Sequence, residues 1–120
     1  MVLHPILSML QNSTSLPEYL TMRDPSGLSA LHVVFHGRVQ GVWFRGFTCR
    51  NAQELGVTGW VRNRLDGTVE AQMVGEGRQI NELLRRCRKG PPAAKVEQAI
   101  GQPGPVPDPV PADFRQRDTM

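Results

Sequence analysis

Little in this 120-residue chain supports the commoner kinds of active centre. It has two cysteines, Cys49 and Cys87, and three histidines, His4, His32 and His36. Two thiols close at most one bridge, so the chain is not a disulfide scaffold. No CxxC occurs, and no His/Cys group has metal-ligand spacing, which argues against a zinc site. No run of about 20 apolar residues is present to span a bilayer. The opening MVLHPILSML is apolar but short, is broken by Pro5 and lacks a basic start, so it makes a poor signal peptide. Neither GxxxxGK[ST] nor GxGxxG occurs, which excludes the common nucleotide-binding loops. Charge of one sign is not in large excess: 14 basic against 11 acidic residues give +3. That balance favours anionic partners in general and is too small to indicate nucleic acid.

What is present divides at residue 30. Residues 1–29 are rich in Ser, Thr, Pro and Asn and read as a disordered extension, with Met22 as an alternative start. Residues 30–120 read as one small domain. LHVVFH (31–36) alternates Leu31, Val33 and Phe35 against His32, Val34 and His36, the mark of a strand ending at Gly37. FRGFTCRNAQEL sets Phe44, Thr48, Asn51 or Ala52 and Leu55 near helical spacing, with Gly56 as the stop. TGWVRN (58–63) is a second strand. Asp66-Gly67 is a hairpin turn leading into TVEAQMV (68–74) as the third.

A second helix, roughly 76–89, carries Ile80, Leu83, Leu84 and Cys87 as an apolar stripe. Arg85, Arg86, Arg88 and Lys89 sit at its end, where cations suit the helix dipole. AKVEQAI (94–100) reads as strand four. GQPGPVPDPVP (101–111) has five prolines and reads as an extended connector, before a short last edge strand in 112–118. The order β-α-β-β-α-β predicts an α+β, ferredoxin-like fold: an antiparallel four-stranded sheet with two helices on one face. That fold hosts many functions and selects none of them.

The loop between strand one and helix one is more informative. HGRVQGVWFRG (36–46) places glycines at 37 and 41, so successive backbone N–H groups can curl into a concave nest at a helix N-terminus. Arg45 follows in the first helical turn, with a planar fork that matches two oxygens of a phosphate. Loop and arginine together suit a tetrahedral dianion. Taken alone, the same residues also describe a tight turn beside a solvent-facing arginine.

GRVQGVWFR (37–45), AQELGVTGWVRN (52–63), DGTVEAQMVG (66–75) and GPPAAKVEQ (90–98) together closely resemble the acylphosphatase family, in register over about 70 residues. The resemblance implies a small ferredoxin-like hydrolase that cleaves the carboxyl-phosphate bond of acyl phosphates, with no metal and no organic cofactor. It implies that Arg45 binds the phosphate and that Asn63, closing GWVRN, orients the attacking water. The amides of Arg38, Val39, Gln40, Gly41, Val42, Trp43 and Phe44 correspond to the phosphate cradle. The substrate phosphate itself would take the proton of the water. Arg64, where a small hydroxyl residue is often found, and the bulky Trp43 depart from the family pattern, as does the 1–29 extension. The partner expected is a small-molecule acyl phosphate, met in the cytoplasm by a monomer, with no membrane and no nucleic acid. The strands lack the paired aromatics of an RNA-binding platform, since Phe35 and Trp60 stand alone on strands one and two. The competing reading is a binding module that holds a phosphate group without turnover.

Overall fold

The computed structural model describes residues 26–120. The proposed extension therefore lies outside the described residues as far as residue 25, and strand β1 begins at Ser29. The elements run β1 (Ser29–Arg38), α1 (Phe44–Leu55), β2 (Thr58–Asn63), β3 (Val69–Gly75), α2 (Gly77–Lys89), β4 (Lys95–Gly104) and β5 (Phe114–Gln116). They build one five-stranded sheet in the order β4-β1-β3-β2-β5.

The alternation of β1 decides the layers. Leu31, Val33 and Phe35 are fully buried, and their partners across the ladder, Met73, Ala71 and Val69 of β3, are fully buried as well. The helices cover this face with Phe44, Thr48, Cys49 and Ala52 of α1 and Ile80, Leu83, Leu84 and Cys87 of α2. Burying each large apolar side chain in this way contributes about 1.5–3 kcal/mol. The opposite face is polar. There Glu70 accepts a hydrogen bond from Arg62 at 2.7 Å and pairs with His32 at 2.6 Å. Trp60 lies on that face, with the guanidinium groups of Arg62 and Arg117 at 4.9 and 5.0 Å from its ring centre.

Two glycines make the sheet possible near the site. At Gly37 the β1–β4 register shifts, and a side chain there would meet the Lys95 carbonyl oxygen at 2.2 Å. At Gly59, with φ at 134°, it would meet the Gln72 carbonyl oxygen at 1.8 Å. Only glycine allows both approaches.

The structure corrects the sequence reading at the C-terminal end. Residues 101–104, expected to be connector, continue β4, with Gly101, Gln102, Pro103 and Gly104 opposite Val33, His32, Leu31 and Ala30. Because β4 is an edge strand, a proline without an N–H does not interrupt an interior ladder. The expected short last strand is present, and it makes the sheet mixed rather than wholly antiparallel. The short last strand β5 pairs parallel to β2, Gly59 with Phe114 through Val61 with Gln116.

Candidate active site

The loop between β1 and α1 is fixed at both ends by packing. Phe35, near the end of β1, meets Phe44, the first residue of α1, with ring centres 5.0 Å apart and tilted by 59°. Between them the chain must turn sharply. Gly41 (φ 73°) and Trp43 (φ 66°) both take left-handed backbone conformations to do so. Val39 points into the core and is 1% exposed.

The first helical bond recorded in this turn runs from the Phe47 amide to the Trp43 carbonyl oxygen, 3.0 Å. The amides of Phe44, Arg45 and Gly46 therefore have no partner within the helix. No side chain caps this end, and no acidic residue stands in its first turn. Those amides and the positive end of the helix dipole are left for an anion.

An open depression forms there, lined by Val39, Gly41, Trp43, Phe44, Arg45, Gly46, Asn63 and Gln116. Arg45 and Asn63, far apart in sequence, thus share one site. Asn63 ends β2, which the β2–β3 pairing brings alongside. Its Oδ1 is the one buried side-chain polar atom without a hydrogen-bond partner among the described residues. Such orphans are rare, because burying an unpaired acceptor costs about 1–3 kcal/mol.

Of the seven cradle residues, Val39, Gly41, Trp43 and Phe44 line the depression. Gln40 instead turns to the β2–β3 hairpin, donating to the Arg64 and Thr68 carbonyl oxygens, each at 2.8 Å. Arg38 is exposed at the end of β1, opposite Lys95, and Val42 is half-buried against the core. Gln116 and Gly46 line the site without having been singled out from sequence. Gln116 arrives on a three-residue strand whose pairing no local pattern signals. Gly46 lies directly beside the motif arginine, and that adjacency was its available signal.

The thiols are core groups. Cys49, one helical turn beyond Arg45, is buried; burial raises its pKa and the charge of Arg45 opposes that rise. Cys87 is buried, and desolvation pushes its thiol up to about 12. Among the described residues no group of three or more His, Cys, Asp or Glu could hold a metal ion, and no helix is long and apolar enough to cross a membrane.

The family model described as Acylphosphatase matches residues 31–115, from the third residue of β1 through both helices to the second residue of β5. The chain belongs to the acylphosphatase family. It is 47% identical over 81 residues to an acylphosphatase of Rhodospirillum rubrum, a match covering 68% of this chain and 89% of that protein. It is 49% identical over 71 residues to one of Acidiphilium cryptum, covering 59% and 78%. The solved acylphosphatase of Coxiella burnetii superposes with a TM-score of 0.73 at 36% identity, over 80% of this chain and 99% of that one. Hydrolysis of acyl phosphates is accordingly the activity of this acylphosphatase.

Proposed function

We propose that the depression at the N-terminus of α1 is the catalytic centre, with Arg45 and Asn63 as its catalytic residues. The phosphoryl group of the substrate sits against the uncapped amides of the loop and first helical turn, and the Arg45 guanidinium takes two of its oxygens. A water held by the Asn63 carboxamide attacks phosphorus. The bond from phosphorus to the acyl oxygen breaks, and the carboxylate leaves with the electron pair. The proton of the water passes to a phosphoryl oxygen, giving inorganic phosphate.

An acyl phosphate already has a good leaving group, so the protein need only position water and neutralise charge. A carboxamide suits the first task because it both donates and accepts. Arg45 and the amides suit the second.

The meeting of Arg45 and Asn63 in one depression beside an uncapped helix N-terminus carries this reading. Asn63 Oδ1 has no protein partner, so its hydrogen-bonding capacity is not spent elsewhere in the fold. The carboxamide can thus take a hydrogen from a water whose lone pair is directed at phosphorus. We propose further that residues 30–120 form the working unit, without a metal ion, as a monomer in the cytoplasm.

The test is phosphate release from an acyl phosphate by the parent chain, Arg45→Gln and Asn63→Ala. Each substitution should lower the rate by about 10²–10³ or more, the usual loss for one preorganised group of this kind. Arg45→Gln should also weaken inhibition by inorganic phosphate, and Asn63→Ala should leave that inhibition intact. A fully active Arg45→Gln variant would refute the assignment.

A further inference from the structure

The catalytic reading accounts for the phosphoryl half of the substrate and uses the backbone of Trp43, but leaves its indole without a role. Trp43 is the only non-glycine residue with positive φ among the described residues. A bulky side chain in that conformation strains the backbone, and glycine or asparagine would relieve it. The strain is therefore carried for the sake of the indole.

The indole is also held still. It lies over Gly46 so closely that a side chain there would meet its Nε1 at 2.1 Å. Phe47 packs against it edge-on, with ring centres 6.3 Å apart at 81°. Even so, Trp43 is 57% exposed. A flat apolar surface is thus fixed, and left uncovered, on the wall of the depression that contains Arg45 and Asn63. The remaining lining is small, apolar or amide, and Arg45 is its one charged member.

We propose that Trp43 is a specificity-determining residue: its indole takes the acyl group, so the enzyme favours acyl phosphates whose acyl part is aromatic or otherwise broadly apolar. This rests on the catalytic reading above. Once the phosphoryl oxygens are fixed by Arg45 and the loop amides, the acyl substituent must extend across the wall of the depression. An apolar group stacked on the indole loses water on both sides, and two rings gain a further offset or edge contact. An acetyl group is too small to use the surface.

The experiment compares kcat/KM for benzoyl phosphate and acetyl phosphate in the full chain, in Trp43→Gly and in Trp43→Asn. Both replacements suit the left-handed backbone, so the loop is relieved rather than broken. The benzoyl-to-acetyl ratio should fall by about 3- to 10-fold in both variants, the range expected for one aromatic pair. An unchanged ratio with both substrates still hydrolysed would overturn the proposal. So would an equal loss for both substrates with weaker phosphate inhibition, which would make Trp43 a residue of loop shape alone. Failure of the parent chain to hydrolyse either substrate would instead overturn the catalytic reading on which the proposal rests.

Discussion

Gln40 reaches across the site to Arg64, its side-chain amide donating to the Arg64 carbonyl oxygen at 2.8 Å. The same nitrogen donates to the Thr68 carbonyl oxygen, also at 2.8 Å. The phosphate loop is thereby tied to the hairpin that begins immediately after Asn63. This tie fixes the spacing between the loop that leads to Arg45 and the end of β2 at Asn63, the two groups proposed to hold the anion and the water.

Gln40→Leu should therefore affect rate more than stability. Both carbonyl oxygens keep a backbone partner, Gly67 for Arg64 and Arg64 for Thr68. The folding cost should be about 1 kcal/mol, read as a Tm lower by about 4–8 °C. Misplacing reacting groups by about 1 Å can cost 10²-fold, so kcat/KM should fall by about 10- to 100-fold. Unchanged kcat/KM would show that the loop keeps its place without this bridge.

Gly59→Ala should act in the opposite sense, on folding before chemistry. The added carbon would stand 1.8 Å from the Gln72 carbonyl oxygen, which is backbone within a ladder and cannot swing aside. The penalty should be at least about 2 kcal/mol, or about 10 °C in Tm by thermal denaturation. A Tm within about 2 °C of the parent would contradict that packing.

Neither thiol should matter to turnover. Burial holds the Cys49 thiol above its usual range and pushes that of Cys87 up to about 12, so both stay protonated at neutral pH. Iodoacetamide should label the native protein slowly and the urea-unfolded protein rapidly, as mass spectrometry would show. Cys49→Ser should keep the parent kcat within about 3-fold, since the thiol is not part of the reaction scheme.

Acid should uncover one surface contribution to stability. Hydrogen bonds from Arg85 and Arg86 pull the Glu82 carboxyl from its ordinary 4.5 down to about 2. A carboxyl with a lowered folded pKa stabilises the fold fully above its unfolded value, and that contribution fades as pH falls from 4.5 toward 2. Parent and Glu82→Gln should therefore differ most in Tm at neutral pH and converge near pH 2. The gap should also narrow in about 1 M salt, because the group is near the surface.

The parts of this fold that the sequence made legible are those with local causes. The alternation of Leu31, Val33 and Phe35 marked β1, and Asp66-Gly67 marked the hairpin, where Asp66 caps the turn by accepting from the Thr68 amide at 3.0 Å. Arg45 was legible in the loop itself and Asn63 through the family resemblance, and the fold brings both to one depression. Features set by distant partners were not legible. Residues 101–104 looked too rich in proline and glycine for a strand, and only the edge position of β4 makes them one. Gln116 enters the site because β5 lies parallel to β2, a pairing across more than fifty residues that three residues cannot announce. The double hydrogen bond of Gln40 likewise exists only once the hairpin has folded against the loop.

The pairing beside β2 does not stop at β5. The Arg117 amide donates to the Val61 carbonyl oxygen at 2.8 Å, and the Met120 amide to that of Asn63 at 3.2 Å. The two ends of the described chain are therefore inequivalent points of attachment. Whatever precedes Ser29 joins the sheet where β1 faces Gly75, at the end remote from Arg38 and the loop. Anything fused after Met120 would begin at the backbone of Asn63, beside the depression proposed to bind substrate. An affinity tag or reporter placed ahead of the domain should leave turnover undisturbed, whereas one placed behind it should crowd the entrance.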